Sequence, residues 1–176
     1  MENYQDKVVV ITGSAGGIGY ALAKQFGLAG ARVVLSDLDE QRLRSAVATL
    51  ETLGIESTAC VCDVTQRPQV EALAEHALSA YGYVDVLVNN AGINHAPEPL
   101  IDMDLEAFRR IYEVNVFGVL NGIQVFGRIF RDRGSPAGIY NLGSENSIYP
   151  CVPSSHPYVS SKHAVLAITE PVSYTH

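Results

Sequence analysis

Tyr158 and Lys162 stand four residues apart, which puts both on one face of any helix that contains them. A free phenol titrates near pH ~10, so moving a proton near neutrality needs about 4 kcal/mol of preferential phenolate stabilisation. A unit positive charge ~4 Å away supplies about that much at an effective dielectric near 20, which makes the pair a candidate general acid or base. The bland alternative is an exposed helical pair. A second grouping suggests recognition: Thr12-Gly13-Ser14-Ala15-Gly16-Gly17-Ile18-Gly19 follows an apolar run and opens a stretch with almost nothing bulky. Glycine lets backbone approach a ligand closely, and a helix N-terminus offers unpaired N–H groups and partial positive charge, a seat for a pyrophosphate. Such a turn alone also serves as a tight connection with no ligand. Asp37, at the end of the next apolar run, tips the balance, because a carboxylate there accepts hydrogen bonds from ribose hydroxyls. The two together point to a dinucleotide.

Short β-branched runs over residues 7–12, 32–36, 57–62 and 84–89 read as strands, with 138–142 as a fifth. Residues 17–29, 39–53, 67–81 and 104–133 read as helices, the last being the longest, and Asp39 is the expected cap of the second. Val8-Val9-Val10-Ile11 and Val86-Leu87-Val88 are nearly continuous apolar segments, as in strands covered on both faces. The expectation is a three-layer α/β fold, a doubly wound parallel sheet of the Rossmann type, binding its ligand at the carboxyl ends of the strands.

At 176 residues, 47% hydrophobic and 18% charged, the chain has material for one domain, assigned to residues 1–170. A net charge of −7 argues against nucleic acid and anionic membrane as partners. No apolar run reaches the roughly 18 residues of a membrane span, and no leader-like pattern opens the chain, so a soluble, cytoplasmic protein is expected. Cys60, Cys62 and Cys151 read as reduced, buried thiols. His76, His95, His156, His163 and His176 lack metal-ligand spacing, so no metal is expected.

The glycines fall as Gly-x-x-x-Gly-x-Gly, Asp63-Val64 follows the third strand, Asn89-Asn90-Ala91-Gly92 ends the fourth, and Asn115 stands in an Asn-Val-x-Gly segment. With Tyr158-x-x-x-Lys162 and Ser144 upstream, this series resembles the short-chain dehydrogenase/reductase family over nearly the whole chain. The resemblance implies hydride transfer between NAD(H) and the CH–OH or carbonyl group of a small alcohol or ketone. It implies a catalytic set of Asn115, Ser144, Tyr158 and Lys162, with Tyr158 as acid/base and Ser144 holding the substrate oxygen. Lys162 tunes Tyr158 and binds the nicotinamide ribose, and Asn115 holds a water that continues the proton path. The implied cofactor contacts are Gly13, Ser14, Gly17, Ile18, Gly19, Asp37, Asp63, Val64, Asn90, Ala91, Gly92, Tyr158 and Lys162. Ser147 is a second candidate for the serine role.

Asp37 favours NAD by repelling the extra phosphate of NADP, although Arg42 and Arg44 on the following helix pull the other way. An NADP-linked 3-oxoacyl-carrier-protein type of reductase and a non-catalytic dinucleotide-binding module are the competing readings. The family continues into further strands, a substrate loop and a last helix, so the chain is expected to be the front part of such a protein, missing its last strands and helix. Residues 171–176 begin with a proline that should interrupt the catalytic helix, and Val-Ser-Tyr-Thr-His reads as one frame of a transposon-end sequencing adapter. A non-native tail and an inactive chain are therefore expected, with the intact parent forming a homo-oligomer.

Overall fold

The computed structural model describes residues 4–149 and 156–172, without the side chains of 171 and 172. Five strands, β1 (Val8–Thr12), β2 (Arg32–Asp37), β3 (Ser57–Val61), β4 (Val86–Asn89) and β5 (Gly138–Asn141), form one sheet in the order β3-β2-β1-β4-β5. All four pairings are parallel. The helices are α1 (Gly17–Leu28), α2 (Glu40–Thr52), α3 (Arg67–Tyr81), α4 (Leu105–Tyr112), α5 (Gly118–Arg133) and α6 (His156–Val172).

Strand periodicity builds the two faces. Val8 and Val10 of β1 join Val34 and Leu87 under α3 and α5, meeting Val70, Leu73, Phe126 and Phe130. Val9 and Ile11 turn the other way, with Val33, Leu35 and Val88, onto Ala23 of α1 and Leu43, Ala46 and Leu50 of α2. Successive side chains point to opposite faces, so a strand buried on both sides must be apolar at every position. β1 is buried along its whole length, whereas β3 and β5, at the sheet edges, are half-exposed. The result is the expected three-layer, doubly wound sheet.

The differences from expectation have local causes. β4 starts at Val86 rather than at residue 84 because the Asp85 carboxylate accepts Val8 N–H (2.9 Å), taking a donor that a backbone carbonyl would otherwise use. Asp85 also meets Lys7 Nζ (3.3 Å) and Arg133 Nη2 (3.2 Å), which ties β1, β4 and α5 together at the end of the sheet away from the candidate site. The helix expected over 104–133 is two α-helices joined by a π-helical segment, Glu113–Phe117. Asp104 caps its start by accepting Glu106 N–H (3.1 Å), as Asp39 caps α2 by accepting Arg42 N–H (3.0 Å). The interruption expected at Pro171 falls in the last turn, because α6 extends to Val172. The rest of the expected tail, 173–176, lies outside the described residues, as does Cys151.

Of the two described cysteines, Cys62 is buried and Cys60 only partly so. Among the described residues no group of histidines, cysteines and carboxylates could hold a metal ion, and no helix is long and apolar enough to cross a membrane.

Candidate active site

A cavity of about 590 Å³ runs along the carboxyl ends of the strands. The turn after β1, Asp37 at the end of β2, Asp63 and Val64 after β3, Asn90 to Gly92 after β4 and Ser144 after β5 all line it, together with Tyr158 and Lys162 of α6. In a doubly wound sheet this edge, between the strands where chain order reverses, is where ligands bind.

The glycine turn is held from behind. Asn90 Nδ2 donates to Thr12 O (2.8 Å) and Gly13 O (2.9 Å), and Thr12 Oγ1 accepts both Asn90 N–H and Ala91 N–H (3.1 Å each). This lacing presses the turns after β1 and β4 together so closely that a Cβ on Gly13 would lie 2.8 Å from Ala91 Cα. Ser14, expected among the cofactor contacts, is fully buried instead. Its Oγ donates to Ile11 O (2.8 Å) and accepts Ser36 N–H (2.9 Å), so it shapes the turn and does not line the cavity. Gly17 also lies off the cavity wall, while Gly13, Ile18 and Gly19 lie on it. Asp37 faces the cavity, its Oδ2 accepting Ala15 N–H (3.1 Å) and its Oδ1 accepting Leu38 N–H (2.8 Å). Asp63 Oδ1 accepts both the N–H (2.9 Å) and the hydroxyl (2.8 Å) of Thr65, which fixes the turn after β3.

On the other half of the cavity, Lys162 is 5% exposed, and burial lowers its pKa. Its Nζ donates to Leu142 O (2.6 Å) and lies 5.8 Å from the centre of the Tyr158 ring. At that separation the attraction between the ammonium and a negative charge on the ring is about 3 kcal/mol at an effective dielectric near 20, less than the ~4 Å contact expected from sequence would give. Ser144 and Ser147 separate cleanly. Ser144 lines the cavity and caps a single 3-10 turn, whereas Ser147 is buried, its Oγ accepting Ser144 N–H (3.0 Å).

Asn115 is fully buried in the π-helical segment and does not line the cavity. Its Oδ1 accepts Ile93 N–H (2.8 Å), and its Nδ2 donates to Ile93 O (3.0 Å) and Ser161 Oγ (3.0 Å). Ser161 Oγ donates in turn to Tyr158 O (2.7 Å). The asparagine therefore clamps the loop after β4 to the helix that carries Tyr158 and Lys162. A second chain of side chains reaches that helix from the sheet: Asn89 Nδ2 donates to Asn141 Oδ1 (2.8 Å), and Asn141 Nδ2 to Thr169 Oγ1 (3.0 Å).

Sequence reasoning missed Leu38, Cys62, Arg110, Val114 and Leu142 on the cavity wall. Cys62 is expected at the end of the third strand, where its signal is that of core, and it lies just after β3. Burial pushes its thiol up to about 11, partly offset by a hydrogen bond with Ser36. Arg110 carries no motif; only the fold brings it there.

The strand order, with its ligand-sized cavity at the carboxyl ends, is that of a Rossmann-type domain. Residues 7–174 match the short chain dehydrogenase family, and the chain belongs to it. It is 37% identical over 165 residues to 1-deoxy-11-beta-hydroxypentalenate dehydrogenase from Streptomyces exfoliatus, an alignment covering 93% of this chain and 60% of that protein. A short chain dehydrogenase/reductase from Burkholderia phymatum, solved in complex with NAD, superposes with a TM-score of 0.94 at 37% identity, covering 100% of this chain and 62% of that one. A 3-ketoacyl-(acyl-carrier-protein) reductase from Brucella melitensis complexed with NADH gives a TM-score of 0.89 at 32% identity over 96% of this chain and 69% of the other. The chain thus spans about 60% of the length of the dehydrogenase and of the Burkholderia protein.

Proposed function

We propose that the protein is an NAD-linked oxidoreductase that interconverts the CH–OH and carbonyl groups of a small substrate, with Tyr158 as the acid/base. One observation carries the proposal: Ser144, Tyr158 and Lys162 line the same cavity as the glycine turn and Asp37. The cavity fits a dinucleotide, because the glycine cradle is one that a Cβ would fill and a carboxylate stands at the ribose position. When bound, the nicotinamide supplies the acceptor or donor of the hydride. Gly13, Ile18 and Gly19 would hold its pyrophosphate, Asp37 its ribose, Asp63 and Val64 its adenine, and Asn90 to Gly92 the inner wall.

The protein's own groups handle the proton. In the oxidising direction Tyr158 Oη takes the hydroxyl proton of the substrate, and in the reducing direction it returns one. The Lys162 ammonium favours the phenolate, and Ser144 Oγ donates to the substrate oxygen, holding it against Tyr158. Asn115 keeps the wall and the acid/base in register through Ile93 and Ser161. Asp37 disfavours a 2′-phosphate by charge, which supports NAD over NADP.

Replacing Tyr158 by Phe tests the reading. Made in the full-length parent and assayed with a panel of secondary alcohols and NAD, the variant should show reduced-nicotinamide absorbance lost while calorimetry shows NAD affinity within twofold of the unsubstituted protein. Retained turnover would remove Tyr158 from its role.

A further inference from the structure

We infer that Asn146 is a positioning residue for the reaction: by presenting N–H groups to Ser144 Oγ it leaves that hydroxyl able only to donate, and so directs the substrate's proton to Tyr158. The inference rests on the reading above, in which Ser144 holds the substrate oxygen.

A serine hydroxyl has one hydrogen to donate and two lone pairs that accept. After β5, Ser144 caps the 3-10 turn Glu145–Ser147, and that turn engages both lone pairs. Asn146 N–H donates to Ser144 Oγ (3.2 Å), and Asn146 Nδ2 donates to the same atom (3.4 Å). The backbone of Ser144 is pinned at the same time, its N–H donating to Ser147 Oγ (3.0 Å) and its carbonyl accepting Ser147 N–H (2.8 Å). Asn146 and Ser147 are buried, at 6% and 5% exposure, while Ser144 stands on the cavity wall. No acceptor among the described residues takes the Ser144 hydroxyl proton.

On the side of Asn146 the hydroxyl meets only N–H groups, so its own proton has to turn to the open side, which is the cavity. A donor aimed there stabilises the negative charge that grows on a carbonyl oxygen as hydride arrives at its carbon. A serine turned the other way, with a lone pair toward the substrate, would accept the alcohol proton that Tyr158 has to take, and would repel a carbonyl oxygen. One buried amide therefore fixes which of the two hydroxyls moves the proton.

Kinetics in the full-length parent, with the secondary alcohols and NAD, test the assignment through Ser144. Asn146→Asp replaces the donor by an acceptor of the same shape that takes the serine proton, so kcat should fall about tenfold or more, with NAD affinity by calorimetry within about twofold. Asn146→Leu removes the donor and offers no acceptor, so it should lose about threefold; it carries the test by itself if circular dichroism shows that the buried carboxylate unfolds the protein. In a Ser144→Ala background, whose residual turnover is read over hours, neither replacement should change kcat by more than about twofold, because the hydroxyl they orient is gone. A loss of equal size with and without the serine hydroxyl, or no loss in either Asn146 variant, would overturn the positioning role alone. Unchanged kcat in Ser144→Ala itself would overturn the part given to the serine in the reading above, and this inference with it.

Discussion

Replacing Gly19 by alanine probes the cradle with one methyl group. The new Cβ would lie 2.6 Å from Asn90 Nδ2 and 2.8 Å from Ser14 Cα, and would overlap Gly13 O. Comfortable separations are ~3.5 Å or more, so the turn must open by roughly 1 Å, an overpacking that costs about 1–3 kcal/mol. Opening it also strains the bonds from Asn90 Nδ2 to Thr12 O and Gly13 O, each worth about 1 kcal/mol. The sum is about 3–5 kcal/mol, or a fall in Tm of roughly 10 °C for a domain of this size. Because the displaced atoms are the cavity wall, NAD affinity should fall at least tenfold. Gly17→Ala is the comparison: nothing lies within 4 Å of its Cβ, and its φ of +56° leaves only strain of about 1–2 kcal/mol. Circular dichroism melting and calorimetry with NAD read both variants. A Gly19→Ala protein that melts within 2 °C of the parent and binds NAD equally well would refute the account of the cradle.

Two further expectations follow from the other half of the site. Asn115→Ala removes three hydrogen bonds from a fully buried position and should lower stability by about 2–4 kcal/mol in urea unfolding, with NAD binding weakened because the loop at Ile93 is released; a variant that loses stability but keeps NAD affinity would show that the clamp does not shape the wall. For Lys162, burial lowers the pKa of the folded state below that of the unfolded chain, so the unfolded state binds more protons between the two values. The destabilising effect of the buried charge is present below the folded pKa and fades as pH rises through that window. Measured against Lys162→Met from pH 7 to 10, the parent should gain stability with rising pH; a flat difference would contradict the burial effect.

The interior of the fold was legible because strands buried on both faces have to be apolar at each position, as Val8 to Ile11 are. Strand ends were less so, since Asp85 displaces a backbone acceptor in a way that no local pattern announces. Motif order in the sequence marked Gly13, Asp37, Asn90, Ser144, Tyr158 and Lys162, and all line one cavity in the structure. The inward turn of the Ser14 hydroxyl depends on Ser36, twenty-two residues away, and the position of Arg42 over Gly16 depends on how α2 packs. Both are tertiary facts. Spacing to Tyr158 already favoured Ser144 over Ser147, but the turn in which each hydroxyl caps the backbone of the other's neighbourhood, Ser144 Oγ accepting Asn146 N–H and Ser147 Oγ accepting Ser144 N–H, has no such signal.

The π-helical segment has a meaning for chain length. One extra residue is wound into Glu113–Phe117, so the helix beyond it is rotated by about 100° from where an unbroken α-helix would carry it. That phase step lets Asn115 point at Ile93 while Val125, Phe126 and Phe130 still face the sheet. Deleting one residue of the segment other than Asn115 would restore a regular helix and leave Val125, Phe126 and Phe130 facing the sheet, because the extra residue and its phase step go together. A single-codon loss within the segment is therefore absorbed, whereas one in α5 before Val125, with no extra residue to give up, would change the address of every residue downstream on the helix.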